Sequence, residues 1–539
     1  MGFSIRPATV ADAPQWLNLV LAALGDDYPA KELYDVNWIA RMLDPGNGEE
    51  TWVAESAGRL QASISFLKPW GPNGNPVANL GRNLTRPESV ADGSAEALLR
   101  AVNDIATQRG EMAVVRITAM NNAQQILFEN LGYACVGFQP LKHMLKQRVG
   151  ILFYVRGADS VLVTRNPLSE SLPQVSELGM AALENLHIPS NMVVRDGACG
   201  YPLQSDLKIC DTTMAQYEQL RAQAESANPP VEVSGRFNCG FGLMRLPVER
   251  QPWAFLGQRD DKITAGMSGY FDEQDRCARI TEAFCSDDDS LGALLAHVVK
   301  VMQQQINAVY TEVDILAGAP RLLKSAEQLG FVPVAYLPAF CCRKERYSDV
   351  VKVVKLNVTY SLENGDFTAH AKKIVQIIDR NFEDQKLGLA IINLLRPLSM
   401  FSGLGDGELR KIARLFVQKL YRPGEQVFAR GANGDEAYVV LRGKISIQLE
   451  ETAPAIAHLG DGKIFGELAF LDGAPRAAFA VATQPSILLV MKRDAFADLV
   501  RHEPTLGMMV MRNLAQDLAV KLRGVNEALS TVKKPPAKS

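Results

Sequence analysis

Phe465-Gly466-Glu467-Leu468-Ala469-Phe470-Leu471-Asp472-Gly473-Ala474-Pro475-Arg476-Ala477-Ala478 is the stretch on which the reading of this chain turns. It joins a helix start rich in small residues to one carboxylate and one arginine nine positions apart. A sugar phosphate wants those groups. The planar guanidinium of Arg476 can fork onto a phosphate, and Glu467 can accept from a ribose hydroxyl. Backbone amides of Gly466, Leu468 and Ala469 at a helix N-terminus would add neutral donors. From 421 to 491, short apolar runs are separated by Gly424, Gly431, Gly434, Gly443, Gly460, Gly462, Gly466 and Gly473. Turns at that pitch predict a small antiparallel barrel or jelly roll.

The segment resembles the phosphate-binding cassette of cyclic nucleotide-binding domains. The approach from Leu459 to Phe465, Pro423-Gly424-Glu425 and Val440-Leu441-Arg442-Gly443 fit the same family. The resemblance covers about 395–525. It implies a ligand site built from Phe465, Gly466, Glu467, Leu468, Ala469, Pro475, Arg476, Ala477 and Ala478, with Glu467 on the ribose 2′-hydroxyl and Arg476 on the cyclic phosphate. Ala477 stands where cGMP-selective members often carry Thr, so the implied ligand is cAMP, with cGMP the alternative. A surface pair of Glu467 and Arg476 would leave the surrounding glycines unexplained. Downstream, Met511, Leu514, Leu518, Val525 and Leu529 share one side of a helical pattern over 506–529. In this family the corresponding helix caps the base. Packing on the barrel, or the seam of a homodimer, is compatible with that role. No helix-turn-helix pattern follows, which argues against a transcription factor.

The first 345 residues repeat themselves weakly but in order, at a spacing of about 200. Ile5 to Asp12 reads as a strand and a helix start with Thr9 and Asp12 at capping-box spacing; Leu207 to Thr213 reads likewise. A hairpin follows in each, with Leu60, Ala62, Ile64 and Phe66 on one face of the first and 252–256 and 262–270 forming the second. Each then has an amphipathic helix, through Leu98, Leu99 and Val102 or through Leu294, Leu295 and Val298. Each closes on a matching phrase, Glu129-Asn130-Leu131-Gly132-Tyr133 and Glu327-Gln328-Leu329-Gly330-Phe331.

That order and the closing phrase resemble the GNAT superfamily of N-acyltransferases, over about 1–150 and 200–345. The resemblance implies that the pyrophosphate of an acyl-coenzyme A, acetyl-CoA in the simplest case, binds a loop of small residues at a helix start. In the first half those are Gly93, Ser94 and Ala95, with Val90 where the family has Arg or Gln, and with Glu88 and Asp92 adding negative charge. The second half has Asp287-Asp288-Asp289 there, which would repel a pyrophosphate. The tyrosine that family members place before the closing phrase to protonate the thiolate is Phe128 in one half and Ala326 in the other. No catalytic residue is assigned.

Fifty-seven Lys and Arg against 60 Asp and Glu give a net charge of −3 in 539 residues. That near-balance argues against a nucleic-acid binder with a broadly basic surface. No apolar run approaches a membrane span, and Met1 to Arg6 runs straight into structure without a signal peptide. A cytoplasmic protein is expected, with no membrane and no nucleic-acid partner. The eight cysteines show no C-x-x-C pair and the six histidines are scattered, so no metal site is expected.

The expected fold is multi-domain α+β. Two GNAT-like α/β units, each a mixed sheet flanked by helices, occupy 1–150 and 206–345, with a connector at 151–205. A strand and linker helix at 346–395 lead to the β-barrel or jelly-roll cyclic nucleotide-binding domain at 396–530 and a basic tail at 531–539. The same module types occur together in cyclic-AMP-regulated protein lysine acetyltransferases. Two functions therefore stay open: a cyclic-nucleotide-responsive acyltransferase acting on a protein partner, or a non-catalytic sensor whose GNAT-like halves are interaction scaffolds.

Overall fold

Strand β1 (Ser4–Pro7) leads through a 3-10 turn into α1 (Ala13–Leu24), and the turn is closed as the Thr9/Asp12 spacing predicts. The Asp12 carboxylate accepts from the Thr9 amide at 2.7 Å and from the Arg6 guanidinium twice at 2.8 Å. The first half continues with α2 (Val36–Met42), β2 (Glu50–Ser56), β3 (Arg59–Leu67), β4 (Val77–Thr85), α3 (Ser94–Gln108), β5 (Met112–Thr118), α4 (Ala123–Asn130), β6 (Ala134–Met144) and β7 (Arg148–Arg156). A connector holds α5 (Asp159–Leu162), β8 (Glu170–Ser171), α6 (Pro173–Asn185) and β9 (Val193–Val194). The second half comprises β10 (Lys208–Thr212), α7 (Met214–Glu225), β11 (Val233–Gly235), β12 (Gln251–Arg259), β13 (Lys262–Asp272), β14 (Cys277–Cys285), α8 (Asp288–Gln304), β15 (Tyr310–Leu316), α9 (Pro320–Gln328), β16 (Val332–Arg343) and β17 (Arg346–Leu356).

This is a computed structural model. It describes residues 3–67, 77–89, 92–120, 122–166, 170–190, 192–195, 198–231, 233–235, 251–343, 346–358, 365–451 and 453–532, with the backbone alone at 386–390, 393, 406–407, 521 and 524–532. Val90 of the expected phosphate loop, the side chains of Val525 and Leu529, and the tail at 533–539 lie outside the described residues. The chain forms two units, Met1–Phe382 and Glu383–Ser539.

One sheet runs through the first unit in the order β1-β2-β3-β4-β5-β7-β6-β16-β17-β15-β14-β13-β12-β10, with β11 added against β14. Outward from the central pair β6 and β16, the two arms carry the same connections. Each has a single parallel pairing along this path, β4 with β5 and β14 with β15. Both parallel pairs separate after four residues, beyond Leu80/Val115 and beyond Ile280/Val313. Boundaries drawn at 150 and 345 would cut through hairpins. β7 is buried along its whole middle and pairs with both β5 and β6, and β17 pairs with both β15 and β16, so each strand completes its sheet rather than connecting domains.

The arms meet at Gly137 and Ala335. A Cβ on Gly137 would come within 2.2 Å of the Ala335 Cβ, so only glycine lets β6 approach β16. A buried ionic cluster reinforces the seam. The Glu312 carboxylate of β15 accepts from Gln139 (2.8 Å) and Lys142 (3.2 Å) of β6 and from Arg279 (3.0 Å) of β14. Lys352, 1% exposed, donates to Asp314 at 2.7 Å. Burial would push the Glu312 carboxyl up, but Lys142, Lys352 and Arg279 outweigh it and hold it well below the usual carboxylate range.

Helix α10 (Ala369–Leu395) leads into the second unit, where α11 (Asp406–Ala413) precedes eight strands: β18 (Phe416–Tyr421), β19 (Gln426–Phe428), β20 (Glu436–Arg442), β21 (Ile445–Gln448), β22 (Ala457–Leu459), β23 (Ile464–Phe465), β24 (Phe479–Ala482) and β25 (Ser486–Lys492). α12 (Glu467–Asp472) interrupts them after β23, and α13 (Arg493–His502) and α14 (Pro504–Val532) close the unit. The strands form two four-stranded sheets, β18-β25-β20-β23 and β19-β24-β21-β22. Tyr438, Val440, Phe465, Ala480 and Leu488 form a core between them. On the other side of the first sheet, Ala437, Val439, Leu489 and Met491 pack against helical residues including Leu409, Phe496, Leu506 and Val510. The buried face of α14 differs from the expected stripe. Leu506, Val510 and Leu514 recur every four residues and are buried, while Met511, turned about 100° from Val510, is 44% exposed. Among the described residues no helix is long and apolar enough to cross a membrane.

Removing one partner from a buried ion cluster strands the others. Glu312→Ala should therefore destabilise the first unit by about 3–5 kcal/mol in urea unfolding; a loss below about 1 kcal/mol would mean that the seam does not rest on this cluster.

Candidate functional site

The second unit's site begins where β23 ends. Gly466 takes φ +79° and serves as the N-cap of α12, and Gly473, at φ +73°, ends that helix. These are left-handed positions that a side chain resists. At Gly466 there is a second reason, because a Cβ there would come 2.9 Å from the Arg476 guanidinium. Gly434 is tighter still, with a Cβ meeting Arg476 Nε at 2.2 Å. The two glycines make the space in which Arg476 lies.

Arg476 is 4% exposed. Its guanidinium donates to the carbonyls of Gly466 (2.9 Å) and Glu436 (2.8 Å) and stacks over the rings of Phe428 (4.4 Å) and Tyr438 (5.6 Å). Carbonyls and ring faces are neutral groups, so they orient the cation without cancelling its charge. Arg476 Nε is buried with no hydrogen-bond partner among the described residues, and an unmet buried donor on a cation is costly. An anion in the adjoining cavity can offset that cost.

The cavity measures about 220 Å³ and is lined by Phe465, Gly466, Glu467, Leu468, Ala469, Arg476, Ala477 and Ala478, with Phe428, Ile447, Leu459 and Ile464 completing the wall. Pro475, named with this set from the sequence, is exposed and outside the lining. Leu459 and Ile464 belong to the approach quoted from the sequence, whereas Phe428 and Ile447 were not singled out there. Glu467 is buried in the first turn of α12, where a carboxylate suits the helix dipole. The amides of Leu468 and Ala469 in that same turn have no intrahelical acceptor. A charged fork, a buried carboxylate, first-turn amides and an apolar wall together can hold a phosphate, a sugar and a base.

Arg493, the first residue of α13, is a further part that sequence reading missed. It donates to the carbonyls of Phe470 and Gly434, both at 2.8 Å, and to that of Ala469. It thereby ties the cassette helix and the Gly434 turn to α13.

In the first unit, Gly93 is the N-cap of α3 at φ +80°, with nothing within 4 Å of where a Cβ would stand, and Ser94 and Ala95 are buried behind it. The Ser94 amide already donates to Asp92 Oδ1 at 2.8 Å. This loop presents small residues at a helix start, as a pyrophosphate requires, but shares one amide with its own carboxylate. The second half does not fit. Asp287 caps α8, accepting from the Ser290 amide and hydroxyl at 2.8 Å each, with Asp288 and Asp289 in the same first turn. Phe128 and Ala326 are fully buried core residues. Among the described residues no cluster could hold a metal ion.

Residues 418–503 match the family of the cyclic nucleotide-binding domain. A cyclic AMP receptor protein of Thermus thermophilus is 35% identical over 127 residues, 23% of this chain and 57% of the relative. A cAMP-dependent protein kinase type II regulatory subunit of Drosophila melanogaster is 32% identical over 133 residues, 24% of this chain and 34% of the relative. The chain thus spans little more than half the length of the one and a third of the other. A solved cyclic nucleotide-binding domain from Methylobacillus flagellatus is 25% identical, covering 29% of this chain and 88% of that one at a TM-score of 0.26. On the family match, the second unit contains a cyclic nucleotide-binding domain at 418–503.

A ligand that binds only the folded state raises its melting temperature. Cyclic AMP should raise that of the wild-type second unit. Gly434→Ala, which displaces Arg476 at a cost of about 1–3 kcal/mol, should abolish the shift; an undiminished shift in that variant would contradict the cradle.

Proposed function

We propose that this chain is a cyclic-nucleotide-responsive N-acyltransferase of the GNAT type, with cAMP as regulator, acetyl-CoA as donor and protein lysines as acceptor. The observation that carries the regulatory part is the buried Arg476 with its unmet Nε beside a cavity that also holds Glu467. The relatives named for cyclic AMP support cAMP as the ligand, as does Ala477 in place of Thr.

The catalytic part is supported by the split parallel pair β4 and β5, with α3 starting at Gly93 between them. In the first half Gly93, Ser94 and Ala95 would hold the pyrophosphate of the acyl-coenzyme A, which would supply the activated acyl group. The second half would serve as a structural partner. Regulation would begin at α12 and reach α13 through Arg493. A nucleotide shifts the enzyme only by binding one arrangement more tightly than the other. Exposed Met508, Met511 and Leu522 on α14, which fall on one side of the helix, leave a seam for a homodimer.

A second reading, a non-catalytic sensor whose first unit is an interaction scaffold, is favoured by Asp92 on the Ser94 amide and by Phe128 in place of a tyrosine. Calorimetry separates the two. The acyltransferase reading predicts heat on titrating acetyl-CoA, abolished by Gly93→Asp, which puts a strained carboxylate at the helix start. Absence of heat with the wild type would leave the sensor.

A further inference from the structure

The two arms of the large sheet differ at the place where their parallel pairs separate. Beyond Leu80, no described strand pairs with β4 on the side facing β5. Beyond Ile280, the matching edge of β14 is taken. Val233, Ser234 and Gly235 of β11 pair antiparallel with Phe284, Ala283 and Glu282, and β11 comes within 8 Å of β15, Cα to Cα. β11 thus lies in the wedge that opens between β14 and β15.

We infer that β11 is an internal plug that closes the second half's wedge, leaving, among the described residues, one open wedge, in the first half. A strand edge that leaves its partner exposes backbone donors and acceptors that must be met by water, by a ligand or by another strand. In the second half the chain meets them itself.

Three features make the plug a built element rather than a chance contact. Val233 and Val231 pack against a small core of Tyr217, Leu256 and Phe284. The Val231 amide donates to the Ala224 carbonyl at the end of α7 (2.9 Å), which turns the chain back toward the sheet. Gly235, at φ +96°, sits so close to β14 that a Cβ would come 2.4 Å from the Thr281 carbonyl oxygen. The corresponding connection of the first half, from α2 to β2, takes another course. It sends the Glu49 side chain onto Arg82 of β4 at 2.7 Å and adds no strand there. Where a helix start bristling with Asp287, Asp288 and Asp289 already repels an anion, the plug removes the remaining backbone edge as well.

That the open wedge takes an acyl-coenzyme A rests on the reading proposed above; that the other wedge is plugged does not. Hydrogen exchange on the full chain tests the plug. In the wild type the amides of β14 at 282–284 should be protected. Gly235→Ala should speed exchange roughly tenfold or more at those of these amides that point toward β11, with protection in β12 and β13 unchanged. Ser234→Pro, which puts a proline inside the paired segment, should do the same. Unchanged exchange at 282–284 in both variants would overturn the plug. Calorimetry with coenzyme A provides the second arm. One equivalent bound per wild-type chain agrees with a single open wedge, and two equivalents would overturn it. Wild-type heat that is wholly absent would overturn the acyltransferase reading, and the exchange result would still decide the plug.

Discussion

A buried guanidinium stays where fixed acceptors surround it, and the second unit is arranged around one. Arg476 has its position because Gly434 and Gly466 leave it room and because the carbonyls of Gly466 and Glu436 accept from it. The left-handed turn at Gly466 that admits the side chain also starts α12, so one local geometry aims both the cation and the helix amides at the same cavity. Phe428 and Tyr438 cover the cation, and Phe465 stacks on Tyr438 at 5.1 Å. The cost of burying the charge is thus shared among neutral groups, and the electrostatic potential stays available for a phosphate.

The first unit is governed by a different constraint, the need of every strand edge for a partner. A parallel pair that separates after four residues creates two open edges. The two arms answer differently: among the described residues one leaves the wedge without a strand, and the other supplies β11. Because the arms share a continuous sheet and a buried ionic seam of Glu312, Lys142 and Arg279, the closed arm still contributes to the stability of the open one. That gives a physical reason for keeping the second half, whose helix start carries Asp287, Asp288 and Asp289.

Much of this was legible in the sequence where local chemistry decides it. The cassette could be read because glycines, one carboxylate and one arginine carry their roles within fourteen residues. What was not legible depends on residues far apart in the chain. Gly434 lies 42 positions before Arg476, and Arg493 reaches carbonyls on two other segments. The strands β7 and β17 read as connectors because an apolar run does not say which sheet it joins. β11 as described spans three residues, too short for any periodicity. On α14 Leu514 is buried as expected and Met511 is not, because Met511 is as apolar as its neighbours and only packing against the barrel chooses among them.

The central claim is that the chain's phosphate recognition rests on Arg476. Titrating cAMP calorimetrically into the full chain and into Arg476→Ala tests it most directly. One equivalent should bind the wild type, and the variant should lose about 2–5 kcal/mol of binding free energy, the cost of breaking a desolvated charge pair. Wild-type chain that takes up no cAMP, or a variant that binds as tightly as the wild type, would contradict the account.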